Sequence, residues 1–126
     1  MVVEDDKAIR HLVFRFLSAA GYEAVECPRA AEALALFQDP AQACDLLLTD
    51  IVMPEISGTD LARQVRKLRP ALPILLVSGY SNSHDLARGA SDMAWHFLAK
   101  PFTRASLLRA VREALERRAV SSVKGS

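Results

Sequence analysis

Short apolar runs of strand length alternate with helix-length amphipathic segments along this chain of 126 residues. The uninterrupted runs lie at residues 1–3, 46–49, 74–77 and 97–99, and segment 22–27 alternates between apolar and polar residues as a half-buried strand does. Runs without polar interruption are typical of strands that are covered on both faces, which is the situation in parallel sheets flanked by helices. The pattern therefore limits the chain to an α/β arrangement.

Helical periodicity and capping signals fill the intervals between these strands. Helices are predicted at 9–20, 30–38, 59–68, near 85–90, and from a cap at Thr103 onward. Five strands that alternate with helices, joined by right-handed crossovers, leave few topologies. We predict a flavodoxin-like (βα)5 fold, with a five-stranded parallel sheet of order 2-1-3-4-5 and helices on both faces.

Size and charge set further bounds. We place one domain at residues 1–118 and interpret 119–126 as a flexible tail or linker. A formal net charge of +1 gives no reason to expect direct nucleic-acid binding, and no apolar stretch approaches the ~20 residues of a membrane span. Cys27 and Cys44 match no metal-ligand spacing and are interpreted as reduced thiols, which indicates a cytoplasmic location.

Residues with reactive or charged side chains follow the ends of four predicted strands. They are Glu4 with Asp5, then Asp50, Ser78 and Lys100. Ligands of open parallel sheets bind outside the carboxyl ends of the strands, at the point where the strand order reverses. In the predicted order, that point lies between the strands that end at Asp5 and Asp50. We therefore expect these side chains to form one site.

Carboxylates that lie within a few ångströms of each other need a cation if all are to stay ionised. Oxygen ligands favour Mg²⁺, with Mn²⁺ as an alternative. An ammonium such as Lys100 and a hydroxyl such as Ser78 suit the oxygens of a phosphoryl group. Asp50 can itself be the nucleophile, because carboxylates form acyl-phosphates. The group therefore predicts phosphoryl chemistry assisted by a divalent metal.

The motifs that carry these residues resemble the receiver (response-regulator) domain of two-component signalling, and the resemblance covers roughly residues 1–118. Each motif alone is weak, but the four in this order are specific. They are Val2-Val3-Glu4-Asp5-Asp6, Leu48-Thr49-Asp50-Ile51-Val52-Met53-Pro54 with Gly58, Val77-Ser78-Gly79, and Leu98-Ala99-Lys100-Pro101-Phe102.

The resemblance implies that Asp50 is the phospho-acceptor. It also implies that Asp5 binds Mg²⁺ directly, that Glu4 binds it largely through water, and that Asp50 and the backbone carbonyl of Val52 complete the protein ligands. Lys100 would contact a phosphoryl oxygen. Asp6 is interpreted as a helix cap rather than a metal ligand.

The resemblance further implies a conformational switch. Ser78 would turn its hydroxyl toward the phosphoryl group, Phe97 would take the aromatic switch position, and the bond before Pro101 would be cis. Val52 and Tyr80 occupy the places where the family often has polar residues that influence attack by water. Because neither side chain can orient a water as a carboxylate or amide would, we expect slow self-dephosphorylation.

Partners also follow from the resemblance. The phosphoryl donor would be a phosphohistidine on a histidine kinase or a histidine phosphotransfer domain, and the motifs look most like receivers fused to hybrid histidine kinases. Such a domain promotes its own phosphorylation and dephosphorylation and is not an enzyme with a separate substrate. The sequence leaves open a dimer, a metal-dependent phosphatase with an Asp nucleophile, and a degenerate receiver that only binds proteins.

Overall fold

The computed structural model describes residues 1–79 and 95–125, and in the last helix it describes side chains as far as residue 116. The elements in the described part are β1 (Val2–Val3), α1 (Lys7–Ala19), β2 (Glu26–Cys27), α2 (Ala30–Gln38), β3 (Leu47–Asp50), α3 (Gly58–Leu68), β4 (Ile74–Ser78), β5 (His96–Ala99) and α4 (Arg104–Gly125). The helix predicted near 85–90 lies outside the described residues. Among the described helices, none combines the length and apolar character that a bilayer crossing requires.

The strands form one sheet of order β2-β1-β3-β4-β5 in which every pair is parallel. Val2 of strand β1 lies between Glu26 on one side and Leu48 on the other. The predicted fold class and strand order are therefore confirmed.

The second strand is shorter than predicted. Segment 22–27 was expected to be a strand throughout, but β2 contains Glu26 and Cys27 alone. It lies at the edge of the sheet and pairs with β1, which itself has two residues. The carbonyl of Val25 still accepts a hydrogen bond from Val2 N at 2.8 Å. Alternation of apolar and polar residues alone does not make a strand.

Side-chain alternation along the strands divides the core into two layers. Val3, Leu47 and Leu76 pack in one cluster with buried residues of α2 and α3. Val2 and Leu48 pack in the other cluster with buried residues of α1 and α4. Since both faces of the sheet are covered, the inner strands have no position that tolerates exposure, which accounts for their uninterrupted apolar sequences.

Side-chain caps fix where the helices begin. Asp6 accepts hydrogen bonds from the amides of the first turn of α1, and Ser57 caps α3 by accepting from Asp60 N at 3.1 Å. The predicted cap at Thr103 is confirmed, because its hydroxyl accepts from Ser106 N at 3.1 Å. The backbone of α4 stays helical through residues 119–125, where the sequence predicts a tail; the domain boundary at 118 stays a prediction.

Gly58 lies where the first turn of α3 meets the end of β3. Its amide donates to the carbonyl of Ile51 at 2.7 Å. A β-carbon at this position would overlap the carbonyl oxygen of Asp50 and would lie 2.8 Å from the carbonyl carbon of Asp50 and from Cα of Ile51. The backbone that carries Asp50 therefore depends on a residue without a side chain.

We expect Gly58→Ala to destabilise the domain, measured by urea unfolding. Alanine gains up to about 1 kcal/mol in helix propensity, but relieving the overlap requires a shift of packed backbone, which costs roughly 1–3 kcal/mol. Gly79→Ala is the control, because an added methyl there meets no described atom within 4 Å. An unfolding midpoint for Gly58→Ala at or above that of the unmodified domain would contradict this account.

Candidate functional site

The predicted site residues meet at the carboxyl edge of the sheet. Glu4 and Asp5 follow β1, Asp50 ends β3, Ser78 ends β4, and Lys100 follows β5. The parallel register places them there: Val3 is paired with Thr49, so that the residues just beyond, Glu4 and Asp50, leave neighbouring strands side by side. The structure thus brings together the side chains of Glu4, Asp5, Asp50 and Lys100 and places Ser78 at the neighbouring strand end.

Three carboxylates form a cluster that can hold a cation. Glu4, Asp5 and Asp50 each contribute one oxygen, and these oxygens lie within 4.8 Å of one another. Glu4 and Asp50 are buried, with 5% and 7% of their surfaces exposed, whereas Asp5 is exposed. A set of oxygen donors with one side open to solvent fits a hard divalent cation that keeps some of its water, as Mg²⁺ does.

The electrostatics of Glu4 show how strongly the cluster favours added positive charge. Burial, the hydrogen bond to Asp50 and the negative charge of Asp50 together raise the pKa of Glu4 to about 8. Lys100 and a hydrogen bond from the Asp6 amide act in the opposite direction and do not compensate. Without a metal ion, the raised pKa favours the protonated form of Glu4, which can donate its proton to Asp50 in a hydrogen bond.

Lys100 provides the positive charge on the other side of Asp50. Its ammonium donates to Asp50 Oδ2 at 2.8 Å. Burial lowers the pKa of Lys100, but the hydrogen bond to Asp50 and the negative charges of Asp50 and Glu4 outweigh it, so that the net pKa is raised. Lys100 is therefore charged and placed to bind an anionic oxygen at Asp50.

Backbone contacts hold Asp50 and the neighbouring strand ends. The amide of Val52 lies 3.4 Å from Asp50 Oδ1, and the hydroxyl of Thr49 donates to the carbonyl of Asp50 at 3.0 Å. Ser78 is buried, and its carbonyl accepts from the amide of Lys100 at 2.8 Å. The ends of β4 and β5 are thereby joined next to the acidic cluster.

The remaining predicted residues lie around this core. Phe97 is half-buried and packs on the cluster shared with α2 and α3. The Lys100–Pro101 bond is cis, the isomer that the resemblance implies. Val52 exposes 62% of its surface beside the acceptor. Tyr80 lies outside the described residues.

Arg10 is a residue near the site that the sequence analysis did not single out. It lies in the first turns of α1, and its guanidinium donates to the carbonyl oxygen of Glu4 at 2.9 Å and to Glu26 at 3.3 Å. An arginine six residues after an acid is not a recognisable sequence motif. The contact depends on how α1 turns back over the end of β1, which residue spacing does not show.

Comparison with known proteins identifies the family. The response regulator receiver domain family matches residues 1–112. The sensor kinase CckA of Brucella abortus (strain 2308) is 34% identical over 117 residues, which are 93% of this chain and 12% of that protein. The DNA-binding transcriptional regulator NtrC of Bradyrhizobium sp. (strain RP501 Parasponia) is 35% identical over 115 residues, which are 91% of this chain and 24% of that protein.

Solved structures agree with this match. The receiver domain of NtrX from Brucella abortus is 33% identical, with a TM-score of 0.81 and coverage of 91% of this chain and 96% of that one. A response regulator receiver domain protein from Clostridium thermocellum is 25% identical, with a TM-score of 0.86 and 94% coverage of both chains. The strand order, the acidic cluster at the strand ends and these similarities together show that the chain belongs to the response regulator receiver domain family.

Proposed function

We propose that this domain accepts a phosphoryl group on Asp50 from a phosphohistidine, with Mg²⁺ bound at Glu4, Asp5, Asp50 and the carbonyl of Val52. The observation that supports it most is the position of Asp50. Its buried carboxylate lies between an ammonium at 2.8 Å and two further carboxylates whose oxygens are within 4.8 Å. Nucleophile, phosphoryl-binding cation and metal ligands are then in one place.

The residues of the chain have separable tasks in the transfer. One carboxylate oxygen of Asp50 attacks phosphorus, the P–N bond to the donor imidazole breaks, and its electron pair stays on the ring nitrogen. Lys100, already hydrogen-bonded to Asp50, binds an oxygen of the transferred group, and Ser78 offers a hydroxyl to another. When bound, Mg²⁺ would supply the charge that lets the acids stay ionised and that offsets charge on the phosphoryl oxygens.

A conformational output is also proposed. Phosphorylation would bias a two-state element through Ser78 and Phe97 and so change the affinity for a partner. The backbone bond from Lys100 N to the carbonyl of Ser78 supports this proposal, since it links the end of β4 to the segment that follows β5. Phe97 lies on β5, three residues before Lys100.

The partner we propose is a histidine kinase or a histidine phosphotransfer domain. The chain spans a small part of each curated relative described above, one named as a sensor kinase and one as a transcriptional regulator. We favour fusion to a hybrid kinase, with the output carried by another segment or protein. Catalysis would be confined to the domain's own phosphoryl group, and the free cysteines, Cys27 and Cys44, support a cytoplasmic location.

We expect a small acyl-phosphate donor and Mg²⁺ to add one phosphoryl group to the domain, measured by intact mass. Asp50→Asn should abolish the adduct, because an amide oxygen is a poor nucleophile and carries no charge. Asp60→Asn is the matched control, since Asp60 is exposed on α3 and pairs with Arg63.

Three results would point elsewhere. Labelling that persists in Asp50→Asn would place the acceptor at another residue. Continuous turnover of a phosphate ester, without a retained adduct, would favour a metal-dependent phosphatase. Absence of both metal binding and labelling would leave a module that only binds proteins.

A second prediction concerns the pH dependence of stability without metal. The pKa of Glu4 is about 8 in the folded domain and 4.5 ordinarily, so the folded state holds the proton more tightly. Its contribution to stability is complete below pH 4.5 and is lost as pH rises through 8. We expect the melting temperature in EDTA to fall between pH 6 and pH 9, and this decline to be smaller in Glu4→Gln.

Saturating Mg²⁺ should reduce or reverse the decline in the unmodified domain, because the cation binds the ionised carboxylate. Equal pH slopes for the unmodified domain and Glu4→Gln in EDTA would show that Glu4 does not carry the proton.

A third prediction concerns the lifetime of the phosphorylated state. The exposed side chain of Val52 is apolar and cannot hydrogen-bond a water beside Asp50. Val52→Asn should shorten the half-life of the phosphoryl group severalfold, because an amide can orient the attacking water. The half-life is measured by mass after the donor is removed, with Val52→Ala as the control for loss of bulk. A half-life of seconds in the unmodified domain with Mg²⁺ would contradict the proposal of slow self-dephosphorylation.

A further inference from the structure

The guanidinium of Arg10 joins the end of β1 to the neighbouring strand. Its Nη1 donates to the carbonyl oxygen of Glu4 at 2.9 Å, and its Nε donates to Glu26 Oε1 on β2 at 3.3 Å. The side chain of Arg10 is 12% exposed and that of Glu26 is 29% exposed, so these bonds are partly buried. Hydrogen bonds of charged groups are roughly twice as strong as neutral ones.

Among the described residues, three other hydrogen bonds hold Glu4, and one of them joins its carboxyl group to Asp50. Its amide donates to the carbonyl of Cys27 at 3.2 Å, and its carboxylate accepts from the amide of Asp6 at 3.3 Å. Glu4 lies just beyond β1, so it is outside the two-residue strand that the sheet fixes. The bond from Arg10 is shorter than the bonds to Cys27 and from Asp6, and it is the one that holds the carbonyl of Glu4.

The geometry points to Arg10 as a positioning residue for the metal site. By fixing the carbonyl of Glu4, Arg10 sets the rotation of that residue and keeps its carboxylate within reach of Asp5 and Asp50. The inference rests on the proposed function, because it assumes that this cluster binds a divalent cation. Arg10 contacts the backbone carbonyl of Glu4 and is given no role toward the reacting atoms.

The fork shape of the guanidinium is needed for this role. Two donors on one rigid group reach the Glu4 carbonyl, just beyond β1, and a carboxylate oxygen of Glu26 on β2. A lysine ammonium at position 10 keeps the charge, but as a compact point charge on a flexible stem it does not reproduce the fixed fork that spans both oxygens. A purely electrostatic role would survive Arg10→Lys, whereas a positioning role would not.

Metal affinity of the folded domain is the discriminating measurement. Mn²⁺ is titrated into metal-free protein, and free Mn²⁺ is followed by its electron paramagnetic resonance signal. Loss of groups that orient metal ligands weakens binding by about 10- to 100-fold, and we expect Arg10→Ala to raise the Mn²⁺ Kd by about tenfold. Arg15→Ala is the matched control, because Arg15 is exposed on the same helix.

A double-mutant cycle tests whether Arg10 acts through Glu4. If it does, Arg10→Ala has little further effect on the Mn²⁺ Kd in a Glu4→Gln background. Arg10→Lys should lose most of the same affinity. Glu26→Gln should lose less, since the amide that replaces the carboxylate still offers an oxygen to the guanidinium. These two variants also carry the test if Arg10→Ala does not fold.

The outcomes separate the two proposals. An Mn²⁺ Kd that is unchanged in Arg10→Ala and Arg10→Lys, with a lowered melting temperature, would make Arg10 structural alone and overturn the inference. Full additivity with Glu4→Gln would also overturn it, because Arg10 would then act by another route. Absence of Mn²⁺ binding by the unmodified domain would instead refute the proposed function.

Discussion

The register of strands β1 and β3 forces two acids together, and the charges in the rest of the site depend on that constraint. Val3 pairs with Thr49, so Glu4 and Asp50 emerge side by side at the sheet edge, both buried. Adjacent buried carboxylates repel each other and lose hydration. The metal-free protein relieves this with a proton on Glu4 and with the ammonium of Lys100. A divalent cation would replace the proton, so the proposed metal affinity would be a consequence of the fold.

The same sheet separates structural from chemical positions. Strand residues alternate between two packed layers. A polar side chain in the middle of a strand would therefore be buried, which costs free energy unless it is hydrogen-bonded. Reactive side chains are therefore confined to the carboxyl ends, where backbone turns and helix starts provide partners. Gly58 illustrates how closely these parts fit, because the start of α3 lies against the backbone of Asp50.

The sequence predicts most of this arrangement, because apolar runs and end residues are local signals. Strand order, the cap at Thr103 and the convergence of Glu4, Asp5 and Asp50 could be predicted in this way. The predicted length of β2 was wrong, because it depends on how many residues the neighbouring strand offers. The contact between Arg10 and the Glu4 carbonyl could not be predicted either, since it joins residues of a helix and a strand end with no shared periodicity.

Charge balance links the metal to the proposed switch. With all three carboxylates ionised, the cluster and the ammonium would have a net charge of −2, which a divalent cation would neutralise. Transfer of a phosphoryl group to Asp50 replaces one carboxylate charge by roughly two phosphate charges and adds three acceptor oxygens. The added negative charge and the acceptor oxygens favour the approach of any hydrogen-bond donor. Ser78 is buried at the end of β4, and its carbonyl is hydrogen-bonded to the amide of Lys100. A shift of the Ser78 hydroxyl toward the phosphoryl group would therefore displace the end of β5, the strand that contains Phe97.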